Sequence, residues 1–326
     1  MNILVVGGAG YVGSHCLRHI LANGHQAWVF DNLSQGHRLA VPGDRLITGD
    51  LLDSEKLKEV LKQYQIEAVM HFAARALVGE SVQRPDIYYR TNVTGTLSLL
   101  DSMVATGVKK IVFSSTCAVF GIVEPPIHEN LPKNPISPYG FTKLVIERAL
   151  ADYALAFDLE AAALRYFNAS GAASDGSIGE DHKPESHLIP IVLQVALGHR
   201  EHVQIFGTDY PTTDGTCIRD YVHVDDLAEA HLRVLHYLKR GELVDFNLGT
   251  GVGVSVAEVI AAARDVTGHP IPVVHSPRRA GDPAVLMGDN TKALKELGWT
   301  ARHKNIREVI SSAWAWHKAH PQGFEM

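Results

Sequence analysis

The sequence predicts an α/β protein with a doubly wound parallel sheet and a smaller C-terminal domain. In its first half, short apolar runs alternate with stretches of helical spacing, which is typical of a parallel sheet covered by helices on both faces. A glycine-rich turn joins the first apolar run to the first helical stretch. After residue 171 the alternation gives way to loops rich in Gly, Ser, Asp and Pro, which indicates a second domain.

The elements of the first half follow in order along the chain. The predicted strands are residues 2–7, 26–31, 45–50, 68–74, 110–116 and 160–168. The predicted helices are residues 11–23, 54–64, 85–106 and 138–157. Ser54 and Pro85 stand at the starts of two of these helices, and both residue types favour a helix N-terminus. Strands that alternate with helices in this way favour a parallel sheet.

The second half is less regular. A helix is predicted near 188–198 and a short strand at 203–206, with loops around both. Residues near 220–250 are expected to return to the large sheet. The predicted domains are therefore residues 1–170 and residues 171–326.

Composition excludes several classes of protein. The chain has 326 residues, with 30 Lys and Arg against 36 Asp and Glu, and its formal net charge of −6 is spread without a basic block. That charge disfavours nucleic acid or an anionic membrane as the main partner. No apolar run reaches the roughly 18 residues of a membrane span, and residues 1–7 lack the features of a secretory signal. Cys16, Cys117 and Cys217 are too scattered for a disulfide framework, so we expect a cytoplasmic protein.

The glycine-rich turn has the spacing of a dinucleotide-binding site. Gly7, Gly10 and Gly13 allow a tight turn, close approach of a pyrophosphate and close helix packing. The helix that starts there directs free N–H groups at phosphate. Asp31 ends the next strand, 24 residues beyond Gly7, and an acid there binds an adenosine ribose and repels a 2′-phosphate. The pattern favours a dinucleotide site, with NAD preferred over NADP; the alternative interpretation is an ordinary strand-to-helix turn. Asp50, at the end of the third strand, is equally a candidate adenine contact or a turn residue.

A second pattern points to acid–base chemistry. Tyr139 and Lys143 are four residues apart on a predicted helix, so they lie on the same face. A nearby ammonium stabilises phenolate, so we expect the pKa of Tyr139 to fall from about 10 toward neutrality. Alone, such a pair is most often an exposed helical pair. Its position after a dinucleotide-binding turn and after the strand end at 113–116 favours the catalytic interpretation.

With these motifs in view, the chain resembles the extended short-chain dehydrogenase/reductase family, and within it the UDP-glucose 4-epimerase branch. The matching segments are residues 7–13, 71–74, 92–96, 114–121, 139–143, 165–168, 205–211, 215–224, 247–251 and 278–282. The resemblance implies a Rossmann-type NAD-binding domain over 1–170 and a UDP-sugar-binding domain over 171–326. It also implies a homodimer that interconverts UDP-glucose and UDP-galactose through a 4-keto intermediate.

The resemblance assigns roles to three catalytic residues. Tyr139 is implied to be the base that takes the proton from the sugar 4-hydroxyl while hydride moves from C4 to the nicotinamide. Lys143 is implied to bind the nicotinamide ribose and to tune Tyr139. Thr116 is implied to bond the 4-oxygen, a role that needs a hydroxyl able to donate and accept.

The resemblance also implies which residues contact the two ligands. At the cofactor it places Gly7, Gly10, Tyr11, Val12, Gly13, Asp31, Asn32, Asp50, Leu51, Phe72, Ala73, Ala74, Asn92, Ser114, Tyr139, Lys143 and Tyr166. At the UDP-sugar it places Thr116, Tyr139, Phe167, Asn168, His187, Leu188, Phe206, Arg219, Tyr221, Arg279 and Asp282. In this assignment Asn168 contacts the diphosphate and Phe206 the uracil, and Arg219 and Arg279 bind phosphate. Asp282 is implied to bind the uridine ribose.

Four residues, at three places in the chain, depart from the family pattern. Arg75 and Ala76 lie where many relatives have a lysine that contacts the cofactor. His187 replaces an Asn that contacts the nucleotide. Leu286 lies near the position that limits the bulk of the sugar 2-substituent, where a Tyr is common. A smaller apolar side chain there favours a second hypothesis, a site that also admits N-acetylhexosamines.

Other functions remain open at this stage. A 4-epimerase for UDP-pentoses, a nucleotide-sugar 4,6-dehydratase and a decarboxylase are the nearest alternatives. Elimination needs an acid after the active-site Thr, where this chain has Cys117 and Ala118. A dehydrogenase with net redox turnover needs exchangeable NAD. A non-catalytic dinucleotide-binding protein is disfavoured because Tyr139 and Lys143 are both present.

No metal site is expected from the sequence. His15 and His19 are four apart on the first predicted helix, but no cluster of Asp, Glu or Cys accompanies them. Cys117 follows Thr116 without an identifiable activating partner, so it is interpreted as a small buried residue.

Overall fold

The computed structural model describes residues 1–279 and 281–324. Its strands are β1 (Asn2–Val6), β2 (Gln26–Asp31), β3 (Leu46–Thr48), β4 (Ala68–His71), β5 (Lys110–Thr116), β6 (Glu160–Tyr166), β7 (Asn168–Ser170), β8 (Val203–Phe206), β9 (Ile218–His223), β10 (Glu242–Leu248), β11 (Gly253–Ser255), β12 (Val273–Ser276) and β13 (Val285–Leu286). Its helices are α1 (Tyr11–Ala22), α2 (Ser54–Gln63), α3 (Val78–Gln83), α4 (Pro85–Tyr88), α5 (Gly95–Thr106), α6 (Pro138–Phe157), α7 (Leu188–Ala196), α8 (Val224–Val234), α9 (Val256–Thr267), α10 (Thr291–Leu297) and α11 (Ile306–Ala319). Within the described ranges, no helix is both long enough and apolar enough to cross a membrane.

The large sheet is parallel throughout and doubly wound. Within the described residues it has seven strands in the order β3-β2-β1-β4-β5-β6-β10. The strand order reverses between β1 and β4. In sheets of this kind, ligands bind in the crevice beyond the carboxyl ends of the strands at the reversal. The predicted fold class is confirmed, and the topology locates the ligand crevice.

Helices cover both faces of this sheet because its strands are apolar on both faces. In β1, Ile3 and Val5 pack with apolar residues of α1 and α8. Leu4 and Val6 face the opposite side and pack with residues of α2, α5 and α6. Fully burying an aliphatic side chain contributes about 1.5–3 kcal/mol, so the two cores hold the strand ends firmly in place.

Helix α6 begins and ends where the sequence predicts. The hydroxyl of Ser137 accepts a hydrogen bond from the Gly140 N–H at 3.2 Å, and Pro138 occupies the first turn. Asp158 stops the helix in the left-handed region, with φ of 56°. The N-terminus of α6 is therefore fixed by its own sequence, which orients the residues of its first two turns.

Residues 85–106 are helical, as predicted, but not as one regular helix. A π-helical turn, Tyr89–Thr94, separates α4 from α5. Asn92 lies in this turn, and its side chain binds the main chain of Arg75. The short helix α3, which precedes Pro85, was not predicted. Turns of the π type occur frequently at functional sites.

The smaller sheets lie in the C-terminal half. Strands β11, β9 and β13 form one sheet with β7 paired to β9, and β12 pairs with β8. Apolar residues of α7, α9 and α11 form a separate core with them. Within 220–250, β10 pairs with β6 at the edge of the large sheet and α8 packs on α1, whereas β9 belongs to the smaller sheet.

A buried ion-pair network joins α6 to β6 and β10. The Arg165 guanidinium donates to both oxygens of Glu147 at 2.7 Å and to Asp245 at 2.7 Å. Ser115 of β5 donates to Glu147 at 2.6 Å, and Lys292 donates to Asp245 at 2.8 Å. Because Arg165 and Glu147 are almost fully buried, removal of Arg165 takes away the cation that faces Glu147, and removal of Glu147 leaves Arg165 with Asp245 as its carboxylate partner.

Candidate active site

A cleft of about 1740 Å³ lies at the carboxyl ends of the central strands. Its walls come from the turn after β1, the loops after β2 and β4, the end of β5 and the start of α6. The opposite wall comes from residues 166–191 and from Arg279, Asp282 and Leu286. Sites for one drug-sized ligand measure roughly 300–1,000 Å³. The cleft therefore has room for two ligands side by side.

Most of the residues predicted for the site line this cleft. The lining ones are Gly7, Gly10, Tyr11, Val12, Gly13, Asp31, Asn32, Asp50, Leu51, Phe72, Ala73, Ala74, Ser114, Thr116, Tyr139, Lys143, Tyr166, Phe167, Asn168, His187, Arg279 and Asp282. Asn92, Leu188, Phe206, Arg219 and Tyr221 are not among the lining residues.

The turn after β1 leaves no space for side chains. Gly7 has φ of +78°, and a Cβ there would lie 2.4 Å from the Ala73 nitrogen. A Cβ on Gly13 would lie 2.4 Å from the Gly7 oxygen. Helix α1 starts at Tyr11 with no capping side chain on Gly10, so its first N–H groups point into the cleft. An uncapped helix N-terminus behind a backbone-only turn suits a bound diphosphate.

The acidic residues after β2 and β3 lie on one side of this turn. The Asp31 carboxylate accepts hydrogen bonds from the N–H groups of Ala9 at 3.0 Å and Leu33 at 2.8 Å. Burial raises the pKa of Asp31, and these hydrogen bonds oppose the rise. Asn32 donates to the Asp50 carboxylate at 2.9 Å. These contacts fix carboxylate oxygens where an adenosine ribose and base would meet the sheet.

The loop after β4 is held against β1. The N–H groups of Phe72 and Ala73 donate to the Val6 carbonyl at 2.7 and 3.1 Å. Behind the loop, the fully buried Asn92 accepts from the Arg75 N–H at 2.8 Å and donates to the Arg75 carbonyl at 3.0 Å. Asn92 thus supports the loop that faces the cleft. Arg75 itself lies 3.6 Å from Glu80.

Tyr139 and Lys143 meet the end of β5. The Lys143 ammonium donates to the Ser114 carbonyl at 2.8 Å and lies 4.7 Å from the centre of the Phe113 ring. It lies 5.9 Å from the centre of the Tyr139 ring. The hydroxyl of Thr116 accepts from the Ala118 N–H at 3.2 Å, which fixes the turn after β5. The phenol, the ammonium and the hydroxyl therefore share one corner of the cleft.

The titration of Tyr139 differs from the sequence-based expectation. Burial raises the pKa of Tyr139 to about 12, while a hydrogen bond with Thr116 lowers it. Burial also lowers the pKa of Lys143 to about 7, against the raising effect of Glu147. The expected fall of the Tyr139 pKa toward neutrality is wrong for this structure. Desolvation of the phenol dominates, and the Lys143 ammonium is hydrogen-bonded to the Ser114 carbonyl instead of the phenol.

Tyr166 and Ser114 close the floor of the cleft. Their hydroxyl groups are hydrogen-bonded to each other, because β5 and β6 pair in parallel register with Thr116 opposite Tyr166. Burial raises the pKa of Tyr166 well above its usual range. Neither hydroxyl titrates near neutral pH, so both can only position a ligand.

The predicted phosphate and ribose contacts lie at the far end. Asn168 donates to the Asp220 carbonyl at 2.9 Å and keeps its amide oxygen for other partners. The exposed Arg279 guanidinium lies 3.9 Å from the centre of the Phe206 ring. Arg219 forms an ion pair with Asp282 and donates to the Pro283 carbonyl at 3.0 Å. Phe206 therefore contacts Arg279 and Arg219 pairs with Asp282, although neither Phe206 nor Arg219 is among the residues that line the cleft.

Two predicted substrate contacts are packing residues in this structure. Tyr221 is buried in the core beneath the smaller sheet, and burial raises the pKa of its phenol well above the usual range. Leu188 is the first residue of α7 and packs against the same core. Leu286 does line the cleft, and like Phe167 it packs against the apolar cluster of Val119, Phe120 and Ile127.

A cluster that the sequence analysis missed lies in the wall of the cleft. Glu180, His182, Glu185 and His187 place carboxylate and imidazole atoms within 4.8 Å of one another. The signal in the sequence is Glu-x-His twice, five residues apart, in a loop. From the sequence, only His15 and His19 are tested as candidate metal ligands, so this cluster is not predicted. His15 instead contacts Asp225 at 2.9 Å.

The parallel sheet, the glycine-rich turn and the Tyr-x-x-x-Lys pair define the class: a dinucleotide-binding enzyme of the short-chain dehydrogenase/reductase type. Comparison with known families narrows this class. The model of the NAD dependent epimerase/dehydratase family matches residues 3–249. The chain belongs to this family.

Individual relatives are similar over the full length. The UDP-glucose 4-epimerase of Halalkalibacterium halodurans is 52% identical over 326 residues, covering 99% of this chain and 98% of that protein. A crystal structure of a UDP-glucose 4-epimerase matches with a TM-score of 0.97 at 48% identity, covering 100% of both chains. The Bifidobacterium longum UDP-glucose 4-epimerase in complex with NAD+ and UDP matches with a TM-score of 0.95 at 40% identity, covering 99% of this chain and 100% of that chain.

Proposed function

We propose that this chain interconverts UDP-glucose and UDP-galactose with NAD that stays bound. The sugar C4 is oxidised to a ketone, the 4-keto sugar rotates, and hydride returns to its other face. The observation that carries this proposal is the convergence of Tyr139, Lys143 and Thr116 beside the glycine-rich turn. They supply a proton acceptor, a cation and a hydroxyl at one point.

The residues of the turn fit NAD. Main-chain atoms occupy the space that a side chain on Gly7 or Gly13 would need, and no side chain caps the N-terminus of α1. Asp31 presents its carboxylate at the end of β2, where it suits an unphosphorylated ribose. Bound NAD supplies a hydride acceptor and donor for the sugar C4. Because no net redox change occurs, the chain needs no exchange of cofactor between turnovers.

Proton transfer falls to Tyr139. Its phenolate accepts the proton of the sugar 4-hydroxyl during oxidation and returns it to O4 during reduction. In the ligand-free site the pKa of Tyr139 is raised by burial, so the phenolate needs added positive charge nearby. Lys143 and the bound cofactor supply that charge. Thr116 donates to O4 and holds the hexose ring against the phenol.

The far end of the cleft suits the nucleotide. Arg279 is exposed and its guanidinium lies over the Phe206 ring, 3.9 Å from the ring centre; a guanidinium in this position can offer its N–H groups to phosphate. Asp282 is held by Arg219 and is placed to accept from ribose hydroxyls. Asn168 contributes an amide between the two ends. The proposed sugar position is the space between Asn168 and Tyr139.

A second candidate substrate class is UDP-N-acetylhexosamine. Leu286 lines the cleft, as does Phe167, and a leucine leaves more space than a tyrosine for a 2-acetamido group. Elimination chemistry is disfavoured, because Cys117 and Ala118 follow Thr116 where a dehydratase needs an acid. Burial also raises the pKa of the Cys117 thiol to about 12, so this residue supplies no thiolate.

We also propose a homodimer. The segment of α4 and α5 and the neighbouring helix α6 expose apolar side chains, including Tyr89, Phe141, Leu155 and Phe157. Leu155 is 80% exposed, which favours burial against a partner. Light scattering of wild type and of Leu155→Glu tests the proposal; a dimer that the substitution weakens supports it, and a monomeric wild type contradicts it.

Residence in the cytoplasm is a further proposal. All three cysteines are free and buried, which suits a reducing compartment. Cell fractionation with an antibody against the chain tests this assignment.

Epimerisation is tested without added NAD. The purified protein is incubated with UDP-galactose and, separately, with UDP-N-acetylgalactosamine, and the 4-epimers are separated by chromatography. Conversion of UDP-galactose supports the proposed function, and conversion of the second substrate supports the role of Leu286. If NAD is bound and neither substrate is converted, the proposed substrate assignment is wrong.

A further inference from the structure

The geometry points to a zinc site formed by four side chains of the segment between β7 and α7: Glu180, His182, Glu185 and His187. Each offers one ligand atom, and these atoms lie within 4.8 Å of one another. The inference concerns binding of a metal ion by the protein and does not depend on the sugar substrate.

Four nitrogen–oxygen separations within the cluster lie near those between neighbouring ligand atoms of a tetrahedral zinc ion. His182 Nδ1 lies 3.2 Å from a Glu180 oxygen and 3.7 Å from a Glu185 oxygen. His187 Nδ1 lies 2.8 Å from a Glu180 oxygen and 3.2 Å from a Glu185 oxygen. Zinc bound by imidazole and carboxylate at about 2.0–2.2 Å holds neighbouring ligand atoms roughly 3.3–3.6 Å apart. The four measured separations of 2.8–3.7 Å bracket this range, and Glu185 meets His182 through Oε2 but His187 through Oε1, so small side-chain rotations would bring the four groups onto one ion.

The cluster brings two almost fully buried carboxylates against two imidazoles, so a metal ion bound there would take the place of the imidazole protons. The side chains of Glu180 and Glu185 are 5% and 3% exposed. Two carboxylates held this close and away from water repel each other. His182 Nδ1 is buried and makes no hydrogen bond, although it faces both carboxylates. A divalent ion between these atoms satisfies the nitrogen and neutralises the acids.

The remaining contacts of the cluster favour a fixed geometry. One oxygen of Glu185 accepts from the N–H groups of Ser186 at 2.7 Å and His187 at 2.8 Å. This turn leaves the second oxygen, Oε2, directed at His182. Carboxylates that ligate a metal ion are commonly held in place by hydrogen bonds of this kind.

The ligand set selects the ion. Two imidazoles with two carboxylates suit zinc better than magnesium or calcium, which prefer six or more oxygen ligands. Four protein ligands leave no open position, so the site is structural. It would tie down a long segment that has no helix or strand of its own between Ser170 and Leu188. That segment forms one wall of the cleft beside Tyr11, whose ring lies 6.3 Å from that of His182.

Metal content tests the proposal directly. Wild type is stripped with EDTA, loaded with ZnCl2 or MgCl2, freed of excess ion by gel filtration and analysed by mass spectrometry of the elements. We expect one zinc per chain and no magnesium. His182→Ala and Glu180→Gln should each lose at least tenfold in bound zinc, whereas His202→Ala, which changes an exposed histidine, should retain it.

Folding is monitored independently. Circular dichroism shows whether each variant keeps its secondary structure, and Glu180→Gln preserves the side-chain volume. Zinc should raise the melting temperature of stripped wild type by several degrees, because it binds the folded state, and should leave that of Glu180→Gln unchanged. The proposal is overturned if loaded wild type holds no zinc above a metal-free control, or if folded His182→Ala and Glu180→Gln hold as much zinc as wild type.

Discussion

The ammonium of Lys143 donates a hydrogen bond to the main-chain carbonyl of Ser114, 2.8 Å away. Ser114 belongs to β5, which ends at Thr116. The bond therefore ties the first turns of α6 to the strand that carries the proposed catalytic hydroxyl. It also explains why the lysine stays 5.9 Å from the centre of the Tyr139 ring. In this arrangement Lys143 bonds the Ser114 carbonyl and not the Tyr139 hydroxyl.

Lys143 makes the stability of the cofactor-free protein depend on pH. Burial lowers its pKa from 10.5 to about 7. Between these values the unfolded chain binds a proton that the folded chain lacks, so rising pH favours folding. Urea unfolding of wild type and Lys143→Met at about pH 7, 8 and 9 should show the advantage of the variant shrinking by roughly 1 kcal/mol per pH unit. A difference that does not change with pH contradicts the lowered pKa.

Tyr139→Phe should keep the fold and the bound NAD but lose activity. The substitution removes only the hydroxyl that transfers the proton, so kcat should fall about 10²–10⁴-fold. Steady-state epimerase assays measure the loss, and absorbance of released nucleotide measures the NAD content. Tyr237→Phe is the matched control, since the Tyr237 hydroxyl bonds the exposed Glu296 and neither residue is among those that line the cleft. Full activity of Tyr139→Phe would refute the assignment of the base.

Thr116→Val should slow the reaction, and Thr116→Ser should be tolerated. Valine keeps the shape but cannot donate to the sugar O4. It also loses the bond from the Ala118 N–H at 3.2 Å, at a stability cost of about 0.5–2 kcal/mol. Comparison of kcat for the two variants separates chemistry from packing. Equal kcat values would show that the hydroxyl has no catalytic role.

Glu147→Ala should destabilise the protein by about 3–5 kcal/mol, because it leaves the buried Arg165 guanidinium with one carboxylate fewer. Asp152→Ala is the control on the same helix. It breaks an exposed pair with Arg148 and should cost less than about 1 kcal/mol. Chemical denaturation measures both. Similar losses in the two variants would contradict the importance of burial for this ion pair.

The large sheet was predictable because its strands are buried on both faces. Residues 27–30 of β2 and 111–113 of β5 are continuous apolar runs, and the bounds of both strands agree with the prediction. In the smaller sheets, β8 agrees with the strand predicted at 203–206, whereas β13 with two residues and β11 with three were not predicted. Such strands exist through pairing with β9 and leave no periodic pattern of their own. The π-turn at Tyr89–Thr94 likewise depends on a tertiary contact, that of Asn92 with Arg75.

The site was predictable where a motif fixes the backbone. Gly7 and Gly13 cannot carry side chains in this turn, so their spacing, together with the strand before them, the helix after them and Asp31, indicates the dinucleotide-binding turn. The raised pKa of Tyr139 was not predictable, because it depends on how deeply the phenol is buried and on where the Lys143 ammonium points. The cluster around His182 lies in a loop between β7 and α7. Helical or strand periodicity therefore could not predict that its four side chains come together.

The most direct test of the proposed mechanism follows the hydrogen on C4. UDP-galactose labelled with deuterium at C4 is incubated with the protein in ordinary water, without added NAD, and the product is analysed by mass spectrometry. Transfer of hydride from C4 and back to the same carbon predicts UDP-glucose that retains the deuterium. UDP-glucose that has exchanged its deuterium for solvent hydrogen would contradict the account, because C4 would then have been deprotonated and not oxidised.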